Sequence, residues 1–291
     1  MGDSPQAKTG TRNLIIHVDD AGMCHAANVA TIKGLESGLV TSTSVMLPCG
    51  WAPEFAEYAR QHPEFCYGVH FTLNAEWPGY RWPPVAGRDR VPSLVDPQGY
   101  LWGDVAKVAE FAKAEEVEIE LRAQVELAKT LGIPLSHLDT HMGAVLARPD
   151  IVAVYVKLAL EYDLPILWLR KMSPEEQSEY PHLASALGKV VEKLDHQKLP
   201  VLDNILQFYG GDDLVQREKT YLNAIEEIGP GITQLIIHSS VDSPELEAIT
   251  TSHIRRNHDH ELFSREDIRQ WIVDQGIELT SWKKLTEEAR R

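Results

Sequence analysis

The chain has 291 residues, 43% of them hydrophobic, and 28 Lys and Arg against 43 Asp and Glu give a formal charge of -15. That length can bury a large core, and the negative balance argues against nucleic acid or an anionic membrane as a partner. The three cysteines, Cys24, Cys49 and Cys66, form neither a disulfide framework nor a CxxC pair for a thiolate zinc site. The polar start MGDSPQAKTGTR has no apolar signal segment, and no apolar run approaches the roughly 20 residues that span a bilayer. A cytoplasmic location is therefore expected, with residues 1–12 as a disordered leader and 13–291 as one domain.

Short apolar runs predict strands at residues 14–18, 42–47, 67–72, 135–138, 166–169, 201–206 and 233–238, with a shorter eighth at 277–279. The stretches between them predict helices at 26–37, 53–61, 106–131, 149–162, 174–194, 214–228 and 265–275. In the third helix Val108, Phe111, Val117, Leu121 and Val125 share a broad apolar face, with the charge-rich stretch 113–120 on the other side. Alternation of strand and helix implies an α/β fold with a parallel sheet, and strands that are nearly continuous apolar runs imply helices over the outside. Seven or eight such units favour a single-domain, distorted TIM-like βα barrel of about seven parallel strands. The first turn, DDAGMC, carries no GxGxxG, and the P-loop pattern is absent as well.

Two stretches interrupt this rhythm. Residues 74–102 hold Trp77, Tyr80, Trp82, Tyr100 and Trp102, and form an insertion too long for an ordinary βα connection. It is either a loop packed by its own rings or a rim that stacks on a flat ligand. The second, 239–261, contains His253, Arg255, Arg256, His258 and His260. Its HDH alternation is weak support for a second metal, while an arginine here, with Arg255 the candidate, would suit a substrate hydroxyl or phosphate.

Histidines and acids stand at the ends of the predicted strands. Asp19 and Asp20 close LIIHVDD, where the Ala21–Gly22 turn lets two adjacent carboxylates converge. As a pair they suit a carboxylate metal ligand beside a general base; the competing reading is a helix cap and a solvated acid. His70 lies in YGVHFTLN, where a core histidine is equally in keeping. In HLDTH, an extended chain puts His137, Asp139 and His141 on one face, and a carboxylate behind a metal-bound histidine fixes its orientation. His238 closes QLIIH as either a ligand or an acid/base group. The second role fits better, because Asp20, His70 and His141 already offer three protein ligands and leave positions for water and substrate.

These pieces, LIIHVDDAGMC, YGVHFTLN, HLDTHMG, QLIIHSS and HELFSREDIRQWIVDQGIELTSW, occur in an order that resembles the YdjC-like carbohydrate deacetylases, also called the ChbG/HpnK family. The resemblance covers most of residues 14–282. It implies a βα barrel, related to polysaccharide deacetylases, that removes acetyl groups from N-acetylated sugars, including chitooligosaccharides. It further implies Asp20, His70 and His141 as metal ligands, Asp19 as general base and His238 as the acid/base histidine. His137 and Asp139 then support the ligands or face substrate, and Trp77, Tyr80 and Trp82 are candidates to stack on a sugar ring. Two positions depart from the family pattern: Ala21 replaces the usual aromatic, and Met142–Gly143 follow HLDTH in place of another histidine.

The expected cofactor is one divalent metal ion, Mg or Zn first, with Mn, Co and Ni also compatible with mixed His and carboxylate donors. The expected partner is a small-molecule or oligosaccharide substrate, and a homodimer is compatible with the chain. Three other activities compete with deacetylation. They are hydrolysis of another amide or a phosphoester on the same barrel, sugar isomerisation or epimerisation, and sugar binding without catalysis.

Overall fold

The computed structural model describes residues 10–291. Its centre is β1 (Arg12–Ala21), the longest strand, buried from Leu14 onward. Around it lie β2 (Ser42–Val45), β3 (Tyr67–Phe71), β4 (Leu135–Thr140), β5 (Asn204–Gln207), β6 (Gly231–Ile237) and β7 (Ile277–Leu279). The order is β4-β3-β2-β1-β6-β5, with β7 also on β1, and every pairing is parallel. Parallel pairing aligns the strands' C-terminal ends on one rim, where an α/β sheet builds its site. The fold is thus α/β with a parallel sheet, as the alternating pattern implies.

Helices connect and cover the strands. After β1 and β2 come α1 (His25–Glu36) and α2 (Ala52–Gln61). Between β3 and β4 lie α3 (Val105–Phe111) and α4 (Ala114–Thr130), and between β4 and β5 lie α5 (Pro149–Tyr162), α6 (Pro174–Glu179) and α7 (Pro181–His196). Helix α8 (Leu214–Glu227) precedes β6. Helices α9 (Pro244–Ile249), α10 (His253–Leu262) and α11 (Glu266–Asp274) precede β7, and α12 (Trp282–Ala289) follows it. One large apolar cluster fills the space between sheet and helices. A smaller, separate cluster is formed by Ile15, Cys66, Leu202, Trp282 and Leu285. There the indole N–H of Trp282 donates to Gln234 Oε1 at 2.8 Å.

Several expectations change in the structure. Of the expected leader, residues 1–9 lie outside the described residues, and Arg12 already belongs to β1 because Gly231 and Ile277 pair with it. Residues 166–169 form no strand, only single bridges from Ile166 to Leu138 and from Leu169 to Leu202. Pro165 accepts from Leu138 N but has no N–H with which to extend the ladder. The regular ladder of β5 starts only at Asn204. The expected helix 174–194 breaks at Tyr180, whose φ of -122° and ψ of 64° suit the residue before Pro181. Helices α9, α10 and α12 were not expected from periodicity.

The expected helix 106–131 breaks at Ala112–Lys113 because the insertion competes for its backbone. Ser93 Oγ accepts from Lys113 N at 3.0 Å, and Glu116 Oε2 accepts from Ser93 N at 2.6 Å. The supposed solvent face of this region is partly inward. Glu120 is fully buried and accepts from Val85 N, Ala86 N and Gln124 Nε2 at 2.9, 2.8 and 2.8 Å. One carboxylate therefore satisfies two loop amides that would otherwise be orphaned. Glu120→Ala is expected to cost about 1–3 kcal/mol and to expose the insertion to limited proteolysis. An unchanged denaturation midpoint and cleavage pattern would contradict this anchoring role.

Candidate metal centre

The rim positions come from local backbone geometry. An uninterrupted strand would send Asp19 and Asp20 to opposite faces. Here the pairing of β1 with β2 shifts register between Val18 and Ala21, and Asp20 takes a left-handed φ of 67°. That conformation is costly for a non-glycine residue and persists only where its surroundings enforce it. The turn expected at Ala21–Gly22 thus begins at Asp20 itself. As a result both carboxylates face His70, whose Nε2 lies 3.4 Å from Asp20 Oδ1 and 3.9 Å from Asp19 Oδ2. Beyond β4, left-handed Met142 (φ 51°) and Gly143 (φ 69°) turn the chain after His141.

Asp20, His70 and His141 supply three ligand atoms within 4.8 Å of one another. His141 Nδ1 stands 3.2 Å from Asp20 Oδ1. Asp20 Oδ1 is buried and has no hydrogen-bond partner among the described residues. A buried orphan oxygen is costly alone, and here it faces two imidazole nitrogens. The donor set of one carboxylate and two imidazoles suits a catalytic divalent metal with open positions. Asp20's other oxygen accepts from Arg256 Nη2 at 2.7 Å.

Further groups hold these side chains. Behind His70, Nδ1 lies 2.6 Å from Asp139 Oδ1, which leaves Nε2 for the centre. Asp139 Oδ2 accepts from Ser44 Oγ at 2.8 Å and lies 2.8 Å from His17 Nε2. The same His17 nitrogen is 3.2 Å from Asp19 Oδ1, so one imidazole bridges Asp19 and Asp139. Behind His141, Nε2 meets Glu76 of the insertion at 3.0 Å. His238 Nε2 lies 3.8 Å from Asp19 Oδ2, and its backbone N–H donates to Asp259, itself paired with Arg217 at 2.7 Å. Asp20, His70 and His141 are nearly inaccessible, whereas the His238 side chain keeps 23% of its exposure, so solvent meets the centre from the Asp19–His238 side.

The electrostatics follow from this crowding. Burial opposes the charge on Asp20, but the Arg256 guanidinium and the nearby His141 and His70 imidazoles hold its carboxyl well below the usual range. Burial likewise opposes protonation of His17, yet hydrogen bonds to Asp139 and Asp19 carry it up to about 9. His141 reaches about 9 against burial through Glu76 and Asp20, and Asp139 and Asp19 push His70 well above its usual value. Two histidines move the other way. Burial, aided by the neighbouring His17, lowers His137 to about 3, and burial lowers His238.

The remaining candidates lie around this core. His137 does not reach the three-residue cluster: it stacks on Trp282 with centroids 5.7 Å apart, and Gly68 opposite it leaves room for its ring. The aromatic insertion packs on itself, since Trp77 and Tyr80 each lie edge-on to Trp82 at 5.6 Å. Trp82 is 2% exposed and backs His141 at 6.2 Å, so it supports a ligand and has no free face for a sugar. The Tyr80 hydroxyl is tied to the Met23 carbonyl, and Trp77 carries the Arg256 guanidinium at 5.8 Å. Arg255 pairs with Asp212 at 3.1 Å at the margin, and its neighbour Arg256 is the arginine that reaches the centre.

Sequence reasoning missed His17, Ser44, Glu76, Arg256 and Asp259. Period two marks His17, since it precedes Asp19 by two residues on the same strand face. Spacing by three puts Arg256 and Asp259 on one face of α10. Glu76 has no comparable sequence signal, because the folding of the insertion brings it to His141.

A parallel sheet whose rim gathers a carboxylate–imidazole triad, with a further acid and histidine beside it, defines a metal-dependent hydrolase. Comparison with known proteins agrees with this class. The family model described as YdjC-like protein matches residues 13–274, and the chain belongs to that family. A protein of Thermus thermophilus named carbohydrate deacetylase is 32% identical over 279 residues, covering 96% of this chain and 95% of that one. Another of the same name, from Thermoanaerobacter pseudethanolicus, is 26% identical over 275 residues, covering 94% and 98%. A crystal structure from Enterococcus faecalis V583, described as a cellobiose-phosphate cleavage protein, shares the fold at 24% identity with a TM-score of 0.78, covering 95% and 99%.

Neutral imidazoles are needed to ligate a metal, so protons and metal compete for His70 and His141. Both pKa values are raised in the metal-free protein, so metal affinity falls as pH drops below about 9, the His141 value. At pH 7 metal uptake is therefore expected to release protons. Calorimetry in buffers of different ionisation enthalpy measures their number, and release of none would contradict the assignment.

Proposed function

We propose that the chain is a metal-dependent carbohydrate deacetylase that hydrolyses the amide C–N bond of N-acetylated sugars or short oligosaccharides. The observation that carries this reading is the convergence of Asp20, His70 and His141 within 4.8 Å, with Asp19 and His238 flanking them. Relatives named carbohydrate deacetylase over nearly their whole length support it. One divalent ion, Zn or Mg first, with Mn, Co and Ni also suited to mixed donors, is held by the triad. When bound, the ion polarises the acetamide carbonyl and lowers the pKa of water.

The residues then divide the proton transfers. Asp19 takes the proton of the attacking water on Oδ2, the oxygen that faces both His70 and His238. His17 Nε2 stands 3.2 Å from the other oxygen, Oδ1, as its ion-pair partner. His238 passes a proton from Nε2 to the departing amine, and its lowered pKa makes the imidazolium a readier donor. Arg256 offsets the charge of Asp20, and Asp139 orients His70. Acetate and a free amino sugar are the products.

The same reading takes the sheet as a distorted βα barrel of one catalytic domain, with 165–170 filling the gap between β4 and β5. The single bridges to Leu138 and Leu202 support that closure. No helix among the described residues is long and apolar enough to cross a membrane. Three free, buried cysteines support the cytoplasm as the site of action.

Acetate release should be measured over a panel of N-acetylated mono- and oligosaccharides with each divalent metal added in turn. Release that requires metal is the expected result, and phosphate release or isomerisation without acetate would overturn the reading. Asp19→Asn should retain the metal and lower kcat by about 10²–10⁴-fold. Full activity in that variant would remove Asp19 as the base.

A further inference from the structure

A cavity of about 470 Å³ lies at the gap in the sheet between β4 and β5, where the chain leaves His141. Met142 and Gly143, the two residues after His141, form its near wall. Leu167, Leu169, Ile205, Leu146, Leu183 and Leu187 line most of the rest. Trp168 also lines it; the residue is 4% exposed, and its Nε1 has no hydrogen-bond partner among the described residues. His238 itself lines a second cavity of only about 140 Å³, with Arg255, Arg256 and Ser252 together with Phe208 and Tyr209.

The two sides differ in chemistry. Sugar hydroxyls find charged partners beside His238, whereas the larger cavity is mainly leucine-lined and offers Glu176, Tyr180 and His182 as its polar groups. On the reading above, the carbonyl carbon sits at Asp20, His70 and His141 and the amine leaves toward His238. The group bonded to the other side of the carbonyl then extends toward Met142 and Gly143. An acetyl methyl is about the size of one water, which needs roughly 10–15 Å³ of such a cavity. Nearly all of the 470 Å³ is surplus to acetate.

We propose that this cavity is an acyl-chain pocket, and that the enzyme hydrolyses amino sugars carrying N-acyl chains well beyond acetyl. This rests on the deacetylase reading of the site. The reaction needs no further reactant. Water adds its hydroxyl to the acyl carbon, the C–N bond breaks, and the proton ends on the amine nitrogen. A carboxylic acid and an amino sugar leave.

The test measures kcat/KM on the metal-loaded enzyme for glucosamine acylated with acetyl, butanoyl, hexanoyl and octanoyl groups. A parallel series uses N-acetylglucosamine with methyl to octyl aglycones. The proposal expects a gain of roughly threefold per methylene in the acyl series and a flat aglycone series. It also expects the octanoyl-to-acetyl ratio to fall at least tenfold in Leu183→Trp and in Ala147→Phe, two independent ways of filling the cavity. Acetyl hydrolysis with no octanoyl turnover overturns the proposal and leaves the deacetylase reading standing. A gain confined to the aglycone series also overturns it. Release of no acid from any substrate defeats both.

Discussion

The Asp20 carboxylate is the interaction on which the rest of the site depends. One oxygen is taken by Arg256 from α10, and the other faces the imidazoles of His70 from β3 and of His141 just after β4. Four segments distant in sequence therefore meet on one buried acid. Removing Arg256 would take the permanent cation from this carboxylate in a nearly dry place. This explains why a strained φ is tolerated at Asp20: the backbone cost is local, and the charge pairing that it allows is shared by the whole rim.

A chain with a formal charge of -15 still concentrates acids here, and the structure offsets them one at a time. His17 stands between Asp19 and Asp139, while Glu76 and Asp20 flank His141. The pairing has a functional consequence. His70 and His141 each have one nitrogen directed at the cluster and the other committed to a carboxylate, so their orientation is set before any ion arrives. The outer side of the centre is less constrained. Solvent reaches His238, and the walls change from polar near Arg256 to apolar near Met142.

Much of this was legible in the sequence, and the reasons for the rest are physical. Strands such as 14–18 and 67–72 were readable because strands covered by helices are continuous apolar runs. The bridging segment at 166–169 reads the same way but lacks a neighbour in register and a donor at Pro165, which no pattern of side chains reveals. The triad was visible as strand-end histidines and acids, and the family resemblance assigned its members. Arg256 lost to Arg255 because two adjacent arginines on a helix differ only in which face is buried. Glu76 and the inward face of α4 depend on how a long insertion packs, and Glu120 shows that a charge-rich stretch can point into the core when it has loop amides to satisfy.

The central claim is that Asp20, His70 and His141 hold one metal ion. Anomalous diffraction from crystals loaded with zinc or cobalt tests it most directly. The account predicts a single strong peak within about 2.0–2.2 Å of Asp20 Oδ1, His70 Nε2 and His141 Nδ1. A second buried cluster, His17, His137 and Asp139, also brings three donors together. A peak there, with none at Asp20, would contradict the account.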